Sequence, residues 1–107
     1  MWILESTDPE LPFTFRILPD SIKTVGRAPR ADFIVDAALV SRLHCRLTLD
    51  AAGLGVEDLG STNGTWLNGQ KVARAPLTAG DKLKVGRVEF AIKAPDEHTT
   101  SAADERR

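Results

Sequence analysis

The sequence predicts an all-β fold, a two-sheet antiparallel β-sandwich of roughly ten or eleven short strands. Apolar residues alternate with polar ones in short runs, and Gly, Pro, Asn and Asp separate these runs. Turns recur at intervals of about 8–12 residues, a spacing typical of sandwiches and closed barrels. No segment carries a convincing helical stripe of apolar residues, so the strands alone decide the fold class.

Ten runs account for the predicted strands. Side chains on a strand point to opposite faces in turn, so a period of two buries one face and exposes the other. The alternation is clearest in the runs 13–17, 45–49, 82–85 and 88–92. The shorter runs are 2–4, 22–25, 33–35, 54–58, 65–67 and 70–72.

The segment 36–43 is the one candidate for a helix, and its Ala37-Ala38 pair is too short to form an apolar stripe. Without helices there are no crossover connections, which neighbouring parallel strands require. The two sheets are therefore expected to be mainly antiparallel.

The composition bounds the size and class of the protein. With 107 residues, of which 42% are hydrophobic and 27% charged, the chain is expected to form one globular domain. We assign this domain to residues 1–93, because from Ala94 onward the sequence APDEHTTSAADERR contains no large apolar residue. Such a segment cannot offset its ordering entropy by burial, so 94–107 is predicted to be a flexible polar tail.

Charge and cysteine content argue against several classes of function. The net charge of −1 provides no general basic field for nucleic acid, and no basic amphipathic helix or long apolar run suits a membrane. The single Cys45 excludes an internal disulfide and, without a signal-peptide pattern, favours a cytoplasmic location. His44, His98 and Cys45 give no metal-binding spacing, so neither a metal nor a cofactor is expected.

Two Asn-Gly steps lie five residues apart in the stretch DLGSTNGTWLNGQ. The second, Asn68-Gly69, separates two short runs by two residues, which predicts a tight hairpin with positive φ at both positions. The first, Asn63-Gly64, has too many residues around it for such a turn. It belongs to a longer loop, which Gly60 and Gly64 allow to bend sharply.

Three polar residues, Ser61, Thr62 and Asn63, stand between the glycines of this longer loop. Their hydroxyl and amide groups can donate to an anion or pair with a peptide backbone. Alternatively, such residues often hydrogen-bond only within their own loop. The loop by itself leaves both interpretations open.

Arginine and serine occupy two further connections between strands. Arg27 follows a strand and Gly26, while Ser41 and Arg42 precede a strand that begins near His44. Guanidinium groups match phosphate oxygens, and hydroxyl groups add neutral donors. Because a sandwich gathers its loops at two ends, the three segments can meet at one of them.

The ordered motifs VGR, VSRLH and DLGSTNGTWLNG resemble the forkhead-associated (FHA) domain, a β-sandwich of the SMAD/FHA type that binds phosphothreonine peptides. The resemblance covers most of the chain, from residue 2 to about residue 93, and GDKLKVGRVEF at 80–90 is similar to the family's penultimate strand and final hairpin. It implies that the chain recognises phosphothreonine in partner proteins and acts as an adaptor in Ser/Thr kinase signalling.

The resemblance also implies a role for individual residues. Contacts with the phosphate are expected from Arg27, Ser41 and Thr62, and from Arg42, whose position the family does not use uniformly. Asn63 matches the amide that holds the peptide main chain. Five residues are expected to brace the site: Gly26, His44, Gly64, Asn68 and Gly69. His44 is expected to do so through hydrogen bonds within the loops.

Catalysis is not expected, and we predict that the chain is not an enzyme. His44 and Cys45 are adjacent, but neighbours on a strand face opposite ways, and Cys45 fits the alternation of core residues. The stretch GTWLNGQK differs from a phosphate-binding P-loop because Gln70 stands at the lysine position and no helix follows. Arg87, in a second VGR at 85–87, is expected to occupy a hairpin and to be dispensable.

Two hypotheses for the function remain open. The first is a phosphothreonine reader, which the complete set of phosphate-contacting residues favours. The second is an interaction module that works without phosphate, through a sandwich face or an edge strand. If a kinase modified Thr7, Thr99 or Thr100, the chain would also bind its own site or that of a neighbouring copy. Nucleic acid and membrane are not expected among the partners.

Overall fold

Eleven strands make up the computed structural model, which describes residues 1–95 of the chain. They are β1 (Trp2–Ser6), β2 (Thr14–Ile17), β3 (Ser21–Gly26), β4 (Phe33–Ile34), β5 (Cys45–Asp50), β6 (Gly53–Asp58), β7 (Thr65–Leu67), β8 (Gln70–Val72), β9 (Arg74–Leu77), β10 (Lys82–Val85) and β11 (Val88–Lys93). The described residues form no helix, and hence none long and apolar enough to cross a membrane. The all-β prediction is confirmed. Most of the predicted tail, 96–107, lies outside the described residues.

The strands form two sheets. Six strands lie in the order β2-β1-β11-β10-β7-β8, and five in the order β4-β3-β5-β6-β9. Every neighbouring pair is antiparallel except β3 and β4, where Val25 pairs with Phe33 and Gly26 with Ile34 in parallel. The predicted sandwich of two mainly antiparallel sheets is confirmed.

The core lies where the alternating residues of the two sheets meet. In β5, Cys45, Leu47 and Leu49 are buried, while the intervening side chains are at least partly exposed. The rings of Phe15 in β2 and Phe33 in β4 stack with centroids 4.6 Å apart, which joins the edges of the two sheets. Full burial of an aliphatic side chain, as at Leu47, contributes about 1.5–3 kcal/mol to stability.

The alternation did not predict β9, Arg74–Leu77. Its third residue is Pro76, and a proline within a run argues against a central strand because it has no amide hydrogen for the ladder. In the structure β9 is an edge strand that pairs only with β6, so the sheet tolerates the proline.

The strand directions sort the connections into two ends of the sandwich. At one end, which we call the loop end, lie the segments 27–32, 35–44 and 59–64 and the hairpin turn 86–87. Backbone hydrogen bonds join Arg27 N to Ser41 O at 3.0 Å and Leu59 N to His44 O at 2.9 Å there. The opposite end carries the turns 51–52 and 68–69, and Pro95 lines a cavity at that end beside Asp50 and Ala51.

Candidate functional site

Backbone hydrogen bonds fasten the segment after β3 to the segment before β5. Arg27 N donates to Ser41 O at 3.0 Å, and Ala28 N donates to Arg42 O at 3.1 Å. Val25 O accepts from His44 N at 2.8 Å. Arg27 and Ser41, which lie on different connections in the sequence, are thereby held next to each other.

Gly26 is required by this close approach. A Cβ at Gly26 would lie 2.0 Å from the carbonyl oxygen of Arg42 and 2.7 Å from its carbonyl carbon. Both atoms belong to the backbone and cannot rotate away, so a larger residue would separate the two segments. The contact gives Gly26 a physical role in keeping Arg27 beside Ser41.

His44 ties the segment before β5 to the loop that follows β6. It is fully buried, its Nδ1 lies 3.0 Å from Ser41 N, and its Nε2 lies 2.8 Å from Gly64 O. The amide of Ser41 can only donate and the carbonyl of Gly64 can only accept. Nδ1 is therefore the acceptor and Nε2 carries the proton, so both nitrogens of a neutral His44 are engaged.

The side chain of Ser41 contacts the loop 59–64. Thr62 N donates to the hydroxyl oxygen of Ser41 at 3.0 Å. Gly64 has a φ of +87°, which glycine adopts without strain and which turns the chain into β7. The loop 59–64 is thus anchored to the segment before β5 both through Ser41 and through His44.

Asn63 holds a strained residue on the rim of the site. Its Nδ2 donates to Leu39 O at 3.1 Å, and Leu39 has a φ of +70°, a conformation that side chains of its size rarely adopt. Trp66 Nε1 in turn donates to Asn63 O at 3.1 Å. The amide oxygen and the second amide hydrogen of Asn63 have no hydrogen-bond partner among the described residues.

Asp58, at the end of β6, organises the loop 59–64 that follows it, although from the sequence it was an ordinary turn aspartate. Its Oδ1 accepts from the hydroxyls of Ser61 and Thr65, and its Oδ2 accepts from the backbone amides of Gly60 and Ser61. Burial alone would raise the pKa of Asp58, but these hydrogen bonds outweigh it and lower the pKa below 3.8. A charged Asp58 therefore sets the shape of the loop that carries Thr62 and Asn63.

All five residues predicted to bind a ligand surround one open cavity at the loop end. Its volume is about 850 Å³. Around it lie Arg27, Ser41, Arg42, Thr62 and Asn63. Hydroxyl, amide and guanidinium donors face the same space, and no carboxylate is among the described lining residues. Such a cavity is suited to an anion.

Besides Asp58, two contributors to this end of the molecule were not predicted. Arg30 also lines the cavity, three positions after Arg27. Gly86, in the second VGR, has a φ of +61°, and a Cβ there would lie 2.7 Å from the carbonyl carbon and oxygen of Leu39. Arg87 occupies the predicted hairpin and is exposed, outside the cavity lining. The glycine, rather than the arginine, supports the site.

Asn68 and Gly69 form the predicted hairpin, with φ values of +49° and +86° between the paired residues Leu67 and Gln70. The side chain of Asn68, however, donates to Asp81 Oδ1 at 3.0 Å and accepts from the backbone amide of Lys82. These contacts lie at the end opposite the cavity. The structure does not bring this pair to the site that it was expected to brace.

A family model of the FHA domain matches residues 23–86, which include the three segments that surround the cavity. The glycogen accumulation regulator GarA of Mycobacterium tuberculosis is 37% identical over 76 residues, or 71% of this chain and 47% of that protein. The oxoglutarate dehydrogenase inhibitor of Corynebacterium efficiens is 31% identical over 78 residues, or 73% of this chain and 55% of that protein. The chain spans about half the length of the curated relatives it matches.

Solved FHA structures share the fold over almost the whole described chain. One, from a study of phosphothreonine-dependent FHA domain interactions, has a TM-score of 0.81 and 27% identity, covering 89% of this chain and 97% of that one. The FHA domain of the CT664 protein from Chlamydia trachomatis has a TM-score of 0.82 and covers 89% of this chain and 98% of that one. Its identity is 23%, so it supports the fold alone.

Proposed function

The chain belongs to the forkhead-associated (FHA) domain family, and we propose that it reads phosphothreonine, docking reversibly on phosphorylated segments of partner proteins. As an adaptor in Ser/Thr kinase signalling, it would hold a partner only after a kinase has acted. The names of two relatives, a regulator and an inhibitor, support a regulatory role. A solved FhaA FHA domain, complexed with the intracellular domain of another protein, supports docking on a protein partner.

The convergence of Arg27, Ser41 and Thr62 around one cavity carries the proposal. Phosphothreonine brings a charge of about −1.5 to −2 and three acceptor oxygens. The guanidinium of Arg27 supplies charge and paired donors, and the hydroxyls of Ser41 and Thr62 supply neutral donors. This combination matches a phosphate group better than it matches a single carboxylate.

The remaining residues receive roles that fit their contacts. Arg42 is exposed on the rim of the cavity and is proposed as a second charged contact with the phosphate. Asn63 is proposed to hold the peptide main chain with the amide atoms that Leu39 leaves unused. Gly26 and His44 are proposed to brace the site from within, because neither presents a side-chain atom to the cavity.

Binding without catalysis is part of the proposal. His44 has both ring nitrogens engaged and is fully buried, so it is not placed to act as a general base. Burial, with a smaller contribution from the charge of Asp58, raises the pKa of Cys45 to about 12, and this residue is also fully buried. A single cysteine that forms no internal disulfide suits a reducing compartment, and we propose that the binding takes place in the cytoplasm.

Phosphorylated Thr99 and Thr100 are proposed as ligands only between copies. Thr99 and Thr100 lie outside the described residues, and Thr100 follows Pro95, at the opposite end of the sandwich, by five residues. Five residues reach at most about 18 Å. Strand β5 alone covers about 17 Å between the two ends, and Ser41 lies beyond it. Binding of Thr99 or Thr100 to the cavity of the same copy is therefore out of reach.

The direct test compares a phosphothreonine peptide with its unphosphorylated twin by calorimetric titration. Replacing Arg27 by Ala removes a charge-assisted contact of about 1.5–3 kcal/mol, so we expect affinity to fall about tenfold to a hundredfold. Arg16→Ala is the matched control, because Arg16 is an exposed arginine on β2 in the other sheet. Equal affinity for both peptides would instead favour an interaction module that works without phosphate.

A further inference from the structure

Arg30 is a third guanidinium at the cavity, and it belongs to none of the motifs that identify the family. A hydrogen bond from Ala31 N to Ala28 O at 3.0 Å turns the chain after Arg27 and brings Arg30 to the rim of the same cavity. Arg30 is exposed, like Arg27 and Arg42. The cavity therefore has three charged donors where the motifs supply two.

No carboxylate of the described residues pairs with these three arginines. The ion pairs within residues 1–95 are Arg46 with Glu57 and Lys93 with Glu5, both away from the cavity. The acidic residue nearest to Arg30 in sequence, Asp32, is engaged elsewhere. Its Oδ2 accepts from the backbone amide of Thr24 at 2.8 Å and from the Thr24 hydroxyl at 3.0 Å.

The positive charge at the cavity is larger than the negative charge of one phosphothreonine. Three guanidinium groups carry three positive charges, because arginine stays protonated in proteins. One phosphothreonine brings about −1.5 to −2. In a chain whose net charge is −1, this local excess of at least about one positive charge is a specific feature of the site.

We propose that Arg30 determines specificity by selecting peptides with a second anionic group beside the phosphothreonine. This inference rests on the proposed phosphothreonine binding. The group is either the carboxylate of an Asp or Glu or a second phosphorylated residue. Arg27 and the hydroxyls hold the phosphothreonine, and Arg30 contacts the second anion on the rim. An extended peptide advances about 3.3 Å per residue, so the second anion lies within a few residues of the first.

The test titrates three sets of phosphothreonine peptides against the wild-type protein. The first has alanine at every flanking position, the second carries one Asp or Glu at each flanking position in turn, and the third carries a second phosphorylated residue there. We expect the best anionic peptide to bind about two- to fivefold more tightly than the alanine peptide, as for an exposed ion pair. The preference should shrink as salt is raised. The larger gain of the two anionic sets identifies the second group.

Variants at Arg30 separate this inference from the proposed function. Arg30→Ala should abolish the difference in affinity between the anionic peptides and the alanine peptide, because the anionic peptides lose more than the alanine peptide does, and Arg30→Glu should disfavour the anionic peptides. The control Arg16→Ala should behave as wild type. Equal binding of all phosphopeptides by the wild type, or an equal loss for all peptides in Arg30→Ala, would overturn the inference while phosphothreonine binding stands. If no phosphopeptide binds the wild type, the proposed function itself fails.

Discussion

The backbone nitrogen of Thr62 lies 3.0 Å from the hydroxyl oxygen of Ser41, so the main chain of one loop donates to a side chain of another. Because this oxygen already accepts a hydrogen bond, the Ser41 hydroxyl is oriented and its proton is directed toward another acceptor. Both residues line the cavity at the loop end. A ligand phosphate would therefore meet a donor whose rotamer is already fixed, which reduces the entropy lost on binding.

Replacing Ser41 by Ala should weaken phosphopeptide binding about tenfold to a hundredfold, because a hydrogen bond to a charged group contributes about 1.5–3 kcal/mol. The loss has two sources, the missing hydroxyl donor and the missing acceptor that positions Thr62. Calorimetric titration measures it, with Ser21→Ala at the opposite end of β3 as the control. Unchanged affinity in Ser41→Ala would contradict a role for this hydroxyl.

Replacing Gly26 by Ala should destabilise the fold by about 1–3 kcal/mol, the usual cost of forcing atoms into a packed region. The new Cβ would lie 2.0 Å from Arg42 O, so the backbone must move and Arg27 would separate from Ser41. Urea unfolding measures the stability. The matched control is Gly55→Ala on β6, where a Cβ would meet Ala75 O at an ordinary 3.6 Å. If both variants lost the same stability, the close contact at Gly26 would not be the cause.

The alternating pattern was sufficient to predict ten of the eleven described strands, because burial of one face of a strand is a local property. Strand β9 was not predicted because it contains Pro76, which a sheet tolerates only in an edge strand. The alternating pattern does not show which strands lie at an edge. The turn at Asn68-Gly69 was predicted for the same local reason. Its distance from the cavity depends on the direction of β7, which the short run leaves open.

In the site, too, features that depend on a short stretch of sequence could be predicted, and features that depend on tertiary contacts could not. Arg27, Ser41, Arg42, Thr62 and Asn63, which line one cavity, could be predicted as site residues because they stand in motifs. Arg30, Asp58 and Gly86 were missed because their roles arise only when distant segments meet: the chain turn at Ala28, the four donors around Asp58, and the contact of Gly86 with Leu39. No periodicity marks such residues.

Cys45 should resist alkylation in the folded protein. Burial and, to a lesser degree, the charge of Asp58 raise its pKa from 9.0 to about 12, so the thiolate fraction near pH 8 falls by about three orders of magnitude. Its full burial also blocks access to a reagent such as iodoacetamide. Mass spectrometry of the time course should show rapid labelling in urea and almost none under native conditions. Equal rates would contradict the assignment of Cys45 to the core.

Asp58 and Asp81 form a matched pair with which the stability of the fold can be separated from the function of the site. In each case burial alone would raise the pKa, but hydrogen bonds hold it below 3.8, from Ser61, Thr65 and Gly60 at Asp58 and from Thr78 and Asn68 at Asp81. A carboxylate with a lowered pKa in the folded state stabilises the fold at pH values above about 3.8. That contribution is lost as the pH falls through the folded pKa.

At pH 7, Asp58→Asn should lower the free energy of unfolding by about 1–3 kcal/mol. The amide NH₂ of the new side chain cannot accept a hydrogen bond, so the donors that faced that carboxylate oxygen lose their acceptor. As the pH falls below 3.8, the wild type loses this advantage and its unfolding curve should approach that of the variant. Asp81→Asn should show the same convergence. Only Asp58→Asn should also weaken phosphopeptide binding at pH 7, since Asp58 shapes the loop that carries Thr62, whereas Asp81 lies at the opposite end. Equal affinities in the two variants would show that the Asp58 hydrogen bonds serve stability alone.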